Sequence, residues 1–134
     1  MDITQLENSI SALFRTKGYA PLIESEQGLE GAIHTFPTAW IQLPKVLYVE
    51  GRDQGVICHK VIVNLLDNYG DKSFEEKRLR LDDMHRDALE VMAQLSKAEG
   101  VVEIEDLTLT PRVTHLTRFG DVAQVCSASV VSYF

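Results

Sequence analysis

The segment SFEEKRLRLDDMHRDALEVMAQLSKAEG, residues 73–100, predicts one long helix with strand-forming sequence on either side of it. Ser73 and Glu76 have the spacing of a capping box, in which each side chain bonds the backbone N–H of the other. Gly100 is a candidate stop signal, so we predict a helix over residues 74–98. The predicted buried face of this helix consists of Leu81, Met84, Ala88, Val91 and Leu95, widened by Met92.

The beginning of the chain predicts a shorter helix and one short strand. Apolar residues recur at helical spacing over residues 3–16, and Asp2 is a candidate N-cap. Gly18 supplies the stop signal. A short strand is expected around Leu22–Glu24, within a stretch that is otherwise interrupted by proline and glycine.

The segment FPTAWIQLP, residues 36–44, predicts a strand of limited length. Proline cannot donate to a sheet ladder, so Pro37 and Pro44 set the two ends of this strand. Trp40 is expected at the seam between the sheet and the helices.

The next segment predicts a β-hairpin. Two β-rich runs, Val46–Glu50 and Val56–Leu66, are joined by the turn GRDQG, and a glycine-flanked polar turn between such runs is typical of a hairpin. Val61 and Val63 alternate with other residues in the second run, so at least one face of this strand is predicted to be buried.

The chain after the long helix predicts two or three further strands. Pro111 is expected to form a break or a bulge, and the segment RFGD, residues 118–121, suits a tight turn. The last strand is expected to reach Phe134 with its side chains buried. The candidate buried positions of the first strand are Val102, Ile104, Leu107 and Leu109.

This order of elements predicts an α+β fold within a single domain, residues 1–134. Hairpins that are segregated from helices favour this class over alternating βαβ units. We therefore expect a mostly antiparallel sheet, with the short N-terminal helix and the long central helix packed on one face.

Composition excludes several classes of function. The chain has 13 Lys and Arg against 20 Asp and Glu, a net charge of −7, which argues against sequence-independent nucleic-acid binding over the whole surface. No apolar run has the length of about 20 residues that spans a bilayer, and the first residues lack a signal-peptide pattern, so a cytoplasmic protein is expected. Cys58 and Cys126 are predicted to be buried free thiols.

The histidines do not form a recognised metal motif. Cys58 and His59 are neighbours on a strand and point to opposite faces, so they are not expected to bind one metal ion. No pair has a zinc spacing such as CxxC or HExxH, and the alternative is a site assembled from distant residues, for instance His59 and His115. We predict neither a metal nor a cofactor.

The carboxylates and serines predict no catalytic site. Glu103 and Glu105 fall on one strand face, opposite Ile104, which is most simply the solvent-facing side. Asp82 and Arg86 are expected to form an i,i+4 pair on the long helix. No nucleophile turn or phosphate-binding glycine loop is present, so we do not expect an enzyme.

A basic cluster falls in the first turns of the long helix, where the macrodipole disfavours cations. It contains Lys77, Arg78 and Arg80. The simpler interpretation is a solvated face. The alternative is contact with an acidic patch on another subunit, and Arg112 and Arg118 could serve in the same way.

The layout resembles the tail terminator proteins of long-tailed bacteriophages, also called minor tail protein U or tail completion proteins. The resemblance covers nearly the whole chain in length and element order, and its local matches are Phe36-Pro37 and the strand Val61–Leu65. A strand between Pro44 and Gly51 and a longer β segment after Gly100 depart from the family pattern.

The resemblance implies a structural protein of a phage or prophage, found in the host cytoplasm and then in the virion. Such proteins form homo-oligomeric rings, commonly hexamers, that cap the tail tube and join it to the head, so tail-tube and head–neck proteins are the implied partners. Specific nucleic-acid binding and membrane contact are not expected. We hypothesise that Arg78, Arg80 and Arg118 contribute to the subunit interface.

Two other classes of function stay open. The first is a small-ligand-binding or enzymatic α+β domain that uses the cup between sheet and long helix, with His59 and His115 as its polar groups. The second is an adaptor or immunity-type module unrelated to phage.

Overall fold

The computed structural model describes residues 1–23, 35–51, 54–114 and 121–134, and places two helices and six strands in them. In chain order the elements are α1 (Ile3–Thr16), β1 (Ala20–Ile23), β2 (Thr38–Ile41), β3 (Lys45–Glu50), β4 (Val56–Asn68), α2 (Phe74–Leu95), β5 (Val101–Thr114) and β6 (Asp121–Tyr133).

All six strands belong to one sheet, in the order β1-β2-β4-β6-β5, with β3 paired to β4 beside β2. Every pairing is antiparallel except that of β1 with β2. Both helices contribute side chains to the main core on one face of this sheet. The structure therefore confirms the predicted α+β fold.

Strand β4 organises the sheet. One of its edges pairs with β6 along its whole length. The other edge is shared, because β2 pairs with Val63–Leu66 and β3 pairs with Val56–Lys60. Pro44 is buried between β2 and β3 and separates them, so the predicted interruption and the predicted β3–β4 hairpin are both confirmed.

Helix α1 begins and ends where the sequence predicts. The Gln5 N–H donates to Asp2 Oδ1 at 2.7 Å, and the Asp2 N–H donates to Gln5 Oε1 at 2.9 Å, so the cap is a reciprocal box. Gly18 follows the helix with a φ of +90°, a left-handed conformation that suits a helix C-terminus.

Helix α2 begins as predicted and ends three residues earlier, at Leu95. Ser73 Oγ accepts from the Glu76 N–H at 3.2 Å, which is one half of the predicted capping box. The Ala98 N–H donates to the Leu95 carbonyl at 3.0 Å, an i→i+3 bond that tightens the chain beyond the last α-helical turn. The predicted apolar face is buried, with Leu81 partly so.

The main core lies between this helical layer and the sheet. The predicted burial of Val61 and Val63 is confirmed. The other fully buried side chains of this core include Leu6, Ile10 and Phe14 of α1, Leu65 of β4, and Val122, Cys126, Ala128 and Val130 of β6.

Trp40 does not lie at the seam between sheet and helices, so that expectation is wrong. It packs with Leu66 and Ala123 in a second, smaller cluster. Its register partner on β4 is Asn64. Since the neighbours of Asn64, Val63 and Leu65, face the helices, the Asn64 side chain points to the opposite face of the sheet, and so does Trp40. Three consecutive apolar residues occupy positions 39–41, so no alternation in the sequence indicates which of them faces the helices.

Pro111 does not interrupt β5, contrary to expectation. The strand continues through Pro111 to Thr114. Because β5 is an edge strand, a proline nitrogen on its outer side interrupts no hydrogen bond of the sheet. The irregularity lies instead at Asp106, whose φ is +53°, where the register with β6 shifts. The turn predicted at 118–121 falls outside the described residues, except for Asp121, where β6 begins.

The shifts in register also change which β5 side chains are buried. Ile104 and Leu109 pack against the main core, as expected. Val102 and Leu107 are exposed, against expectation, because each lies beside a register shift that takes it out of strict alternation.

The end of the chain is less buried than expected. Val130, Val131 and Ser132 are buried, but Tyr133 and Phe134 are each more than half exposed. Phe134 is nonetheless held by the chain, since its N–H donates to the Gly55 carbonyl at 3.2 Å.

Candidate functional site

The N-terminal end of α2 carries exposed apolar side chains beside two arginines. We call this the helix-end surface; it consists of Phe74, Leu79 and Val113 with Arg78 and Arg112. Phe74 and Leu79 are 69% and 66% exposed. Arg78 lies between them, because it lines one groove with Leu79 and another with Phe74 and Val113. Bulky apolar groups at such exposure favour a contact surface over a solvated face.

A cleft of about 950 Å³ lies where the two chain ends meet the β3–β4 hairpin. Val49 and Ile57 from the hairpin, and Tyr133 and Phe134 from the end of β6, supply its apolar lining. Asp2 and Glu99 also line it. We call these six residues, together with β3, the cleft surface.

Strand β3 extends the cleft surface along the sheet edge. All six of its residues are exposed, and in the described part of the chain it pairs only with β4. Edge strands usually carry charges that prevent pairing with other chains, but here Lys45 and Glu50 only flank four consecutive apolar residues. Among the described residues, nine of the fourteen exposed large apolar side chains belong to these two surfaces.

The two surfaces lie at opposite ends of the molecule. Phe74 is the first residue of α2, whereas Glu99 and Gly100, which line the cleft, follow its last turn. The helix has 22 residues, and a rise of about 1.5 Å per residue makes it roughly 33 Å long. The surfaces are therefore different in composition and well separated.

Arg80, one of the three predicted interface arginines, is engaged within its own chain. Its Nε donates to Asp67 Oδ2 at 2.8 Å, and both side chains are less than one-fifth exposed. Its guanidinium also lies 5.8 Å from the centre of the Tyr19 ring, a cation–π geometry. Arg80 thus joins α2 to the end of β4 and to the segment that follows α1.

Tyr19 completes this network. Its hydroxyl donates to Asp87 Oδ2 at 2.8 Å, and its ring packs edge-on against Phe14, with centroids 5.8 Å apart. Burial, followed by the hydrogen bond to Asp87, raises the pKa of Tyr19 well above its ordinary value. A phenol held neutral in this way supports a structural role and not that of a proton donor near neutral pH.

The other two predicted interface arginines are Arg78 and Arg118. Arg78 is exposed and makes none of the ion pairs found among the described residues, so its charge is free to meet a partner. Arg118 lies outside the described residues. The predicted pair of Asp82 with Arg86 is wrong, because Arg86 instead donates to Asp83 at 3.0 Å.

His59 is buried, on the face of β4 that points to the helices. Within the described part of the chain, its Nδ1 has no hydrogen-bond partner, and His59 is not among the residues that line the cleft there. His115 lies outside the described residues. A search of the residues that are described finds no group of three His, Cys, Asp or Glu able to hold a metal ion, and no helix long and apolar enough to cross a bilayer.

The stability of the protein is expected to fall below about pH 6.5 because of His59. Burial, followed by the charge of the N-terminal amino group, lowers its pKa from the ordinary 6.5. As the pH falls through 6.5, the unfolded chain therefore binds the proton first, and stability present above that pH is lost. One group contributes at most about 1.4 kcal/mol per pH unit.

Urea unfolding of the wild type and of His59→Leu between pH 5 and 7.5 measures this effect. The variant is expected to lose part of the dependence on pH between 5 and 6.5. Identical profiles for the two proteins would contradict the assignment.

Glu103 and Glu105 lie together on the face of β5 opposite Ile104, as predicted. The hydrogen bond that protonated Glu105 donates to Glu103, followed by desolvation, raises the pKa of Glu105. Their register partners on β6 are Val131 and Ser129, neither of which is a general base.

Cys58 and Cys126 are buried free thiols, as predicted. They lie on adjacent strands, but Cys126 is part of the main core, whereas Cys58 points to the other face of the sheet. Burial raises the pKa of the Cys126 thiol to about 12, so it is not a reactive nucleophile.

The cleft surface was not predicted from the sequence. Four consecutive apolar residues at 46–49 are typical of a buried strand, and their exposure depends on what covers the sheet edge. The available signal was the unusual length of this apolar run next to a glycine-flanked turn.

Comparison with known proteins gives no indication of function, so the helix-end surface and the cleft surface are the main guide to it. No protein-family model matches the chain, and a search of curated proteins finds no significant match.

Proposed function

We propose that this chain is a structural subunit that assembles head to tail into a closed ring, in the manner of phage tail terminator proteins. The observation that carries the proposal is the presence of two different exposed apolar surfaces at opposite ends of one small fold. Isolated exposed apolar residues are ordinary, but two grouped sets indicate contact with other chains.

Two unlike surfaces favour a particular symmetry. A twofold dimer uses the same patch on both subunits, whereas a ring uses one patch on each side of every subunit. The helix-end surface and the cleft surface differ in shape and in charge, so they suit the second arrangement. A ring of this kind needs no catalytic group.

The ring would occupy the end of a tail tube and contact the tube on one side and head–neck proteins on the other. The net charge of −7 is compatible with a lumen past which DNA slides without adhering. The alternative, a ligand site in the cup between the sheet and α2, draws no support from His59, since that side chain is buried in the core. A hexamer is the size that the resemblance implies.

The substitution Leu79→Gln is expected to reduce assembly at least tenfold, because it removes one of the two most exposed apolar groups of the helix-end surface. Light scattering over a concentration series, with electron microscopy for rings, measures the assembly of the wild type and of the variant. Leu89→Gln is the matched control, since Leu89 is an exposed leucine on the same helix outside both surfaces.

The wild type and the control are expected to form rings of the same mass. A wild type that stays monomeric at high concentration would overturn the proposal. Equal assembly of both variants would exclude the helix-end surface as a contact.

A further inference from the structure

We propose that the helix-end surface of one copy docks into the cleft surface of the next copy. This inference rests on the proposed head-to-tail assembly and specifies which two surfaces form the contact between neighbouring copies, called the joint below. The occupant of the cleft is thus a second copy of this chain, with Phe74 and Leu79 entering the cleft and Arg78 reaching its acidic rim.

Shape and apolar character fit this joint. Phe74 and Leu79 stand out from the first turns of α2. The cleft of about 950 Å³ is open, and Val49, Tyr133 and Phe134 are among its apolar lining residues. A projecting surface and a concave one are complementary, whereas two clefts or two helix ends facing each other would leave their apolar groups in water.

The free-energy cost of association indicates that β3 must also take part in the contact between the two copies. Burying one Phe and one Leu side chain gains less free energy than two chains lose in translational and rotational freedom when they associate. Two side chains are therefore insufficient. The run of exposed apolar residues on β3 adjoins the cleft at Val49 and supplies the additional contact.

Charge complementarity gives the joint its direction. Arg78 lies at the centre of the helix-end surface, and Glu99 lies at the cleft; neither makes an ion pair among the described residues. Asp2 adds a second acidic group, with one oxygen used by the α1 cap. The lining of the cleft, as far as it is described, contains neither Lys nor Arg, and its one cation there is the Met1 amino group, which donates to the Tyr133 carbonyl against the two carboxylates of Asp2 and Glu99.

The same charges disfavour a twofold contact. Pairing two helix-end surfaces would bring Arg78 against its own symmetry mate, and pairing two clefts would do the same for Glu99. Like charges at an interface cost affinity, so the arrangement selects the head-to-tail partner. Glu75 and Asp82 flank Arg78. The charge complementarity between the helix-end surface and the cleft surface is therefore local to Arg78 and does not extend over the whole helix-end surface.

A charge exchange tests the joint. Arg78→Glu and Glu99→Lys are each expected to raise the dissociation constant of the assembly at least tenfold, since each places like charges across the interface. The double variant is expected to return to within about threefold of the wild type, because the pair is restored with its signs reversed. Arg86→Glu is the control, because it changes the net charge equally on an exposed part of the same helix.

Sedimentation velocity over a concentration series measures the dissociation constants. Assembly that is unchanged by the two single reversals, or that is not restored in the double variant, would overturn the docking inference while the ring proposal stands. A wild type that never assembles would overturn both.

Discussion

Replacing Arg80 with methionine is expected to lower the free energy of unfolding by about 3 kcal/mol. The change leaves the Asp67 carboxylate partly buried without its 2.8 Å partner, and it removes the cation from the Tyr19 ring. Removing one member of a buried pair costs more than the pair itself contributes, because the remaining charge stays desolvated.

Arg78→Met is the matched control for this prediction. Arg78 lies two residues away on the same helix, is exposed and has no ion pair among the described residues, so in dilute, monomeric protein its replacement is expected to change stability by less than about 0.5 kcal/mol. Urea denaturation monitored by circular dichroism gives both values. Equal losses in the two variants would contradict the structural role assigned to Arg80.

The contrast between these two arginines shows what periodicity could have predicted. Arg80 precedes Met84 by four residues and so lies on the buried side of α2, whereas Arg78 precedes Asp82 by four and lies on the exposed side. The sequence therefore contained the signal that separates them. Grouping them by charge in one basic cluster obscured that signal.

The helices and the order of the elements along the chain followed from local sequence signals. Asp2, Ser73 and Gly18 are determinants that act within a few residues, so their consequences can be read directly. The exposed β3 and the face chosen by Trp40 could not be read in this way. Both depend on which elements pack above and beside them, and a continuous apolar run gives no alternation from which to infer that.

Mixing two variants, each defective in one surface, is expected to produce a heterodimer. Phe74→Gln combined with Leu79→Gln removes the apolar groups of the helix-end surface, and Val49→Lys places a charge in the cleft surface. Each variant alone has no intact partner for its remaining surface and is expected to stay monomeric. In the mixture, the intact helix end of one variant meets the intact cleft of the other.

This result would follow from head-to-tail contact and not from a twofold interface. In a twofold contact one surface serves both subunits, so one variant would still assemble alone and the mixture would form no new species. Chain growth also stops at two, because the outer surfaces of the heterodimer are both defective. The mixture therefore separates the symmetry of the contact from its strength.

Native mass spectrometry of the equimolar mixture tests the head-to-tail assembly most directly. The account predicts monomers in each separate sample and a one-to-one heterodimer in the mixture, beside rings in the wild type. A mixture that contains only monomers, or a single variant that assembles by itself, would contradict it.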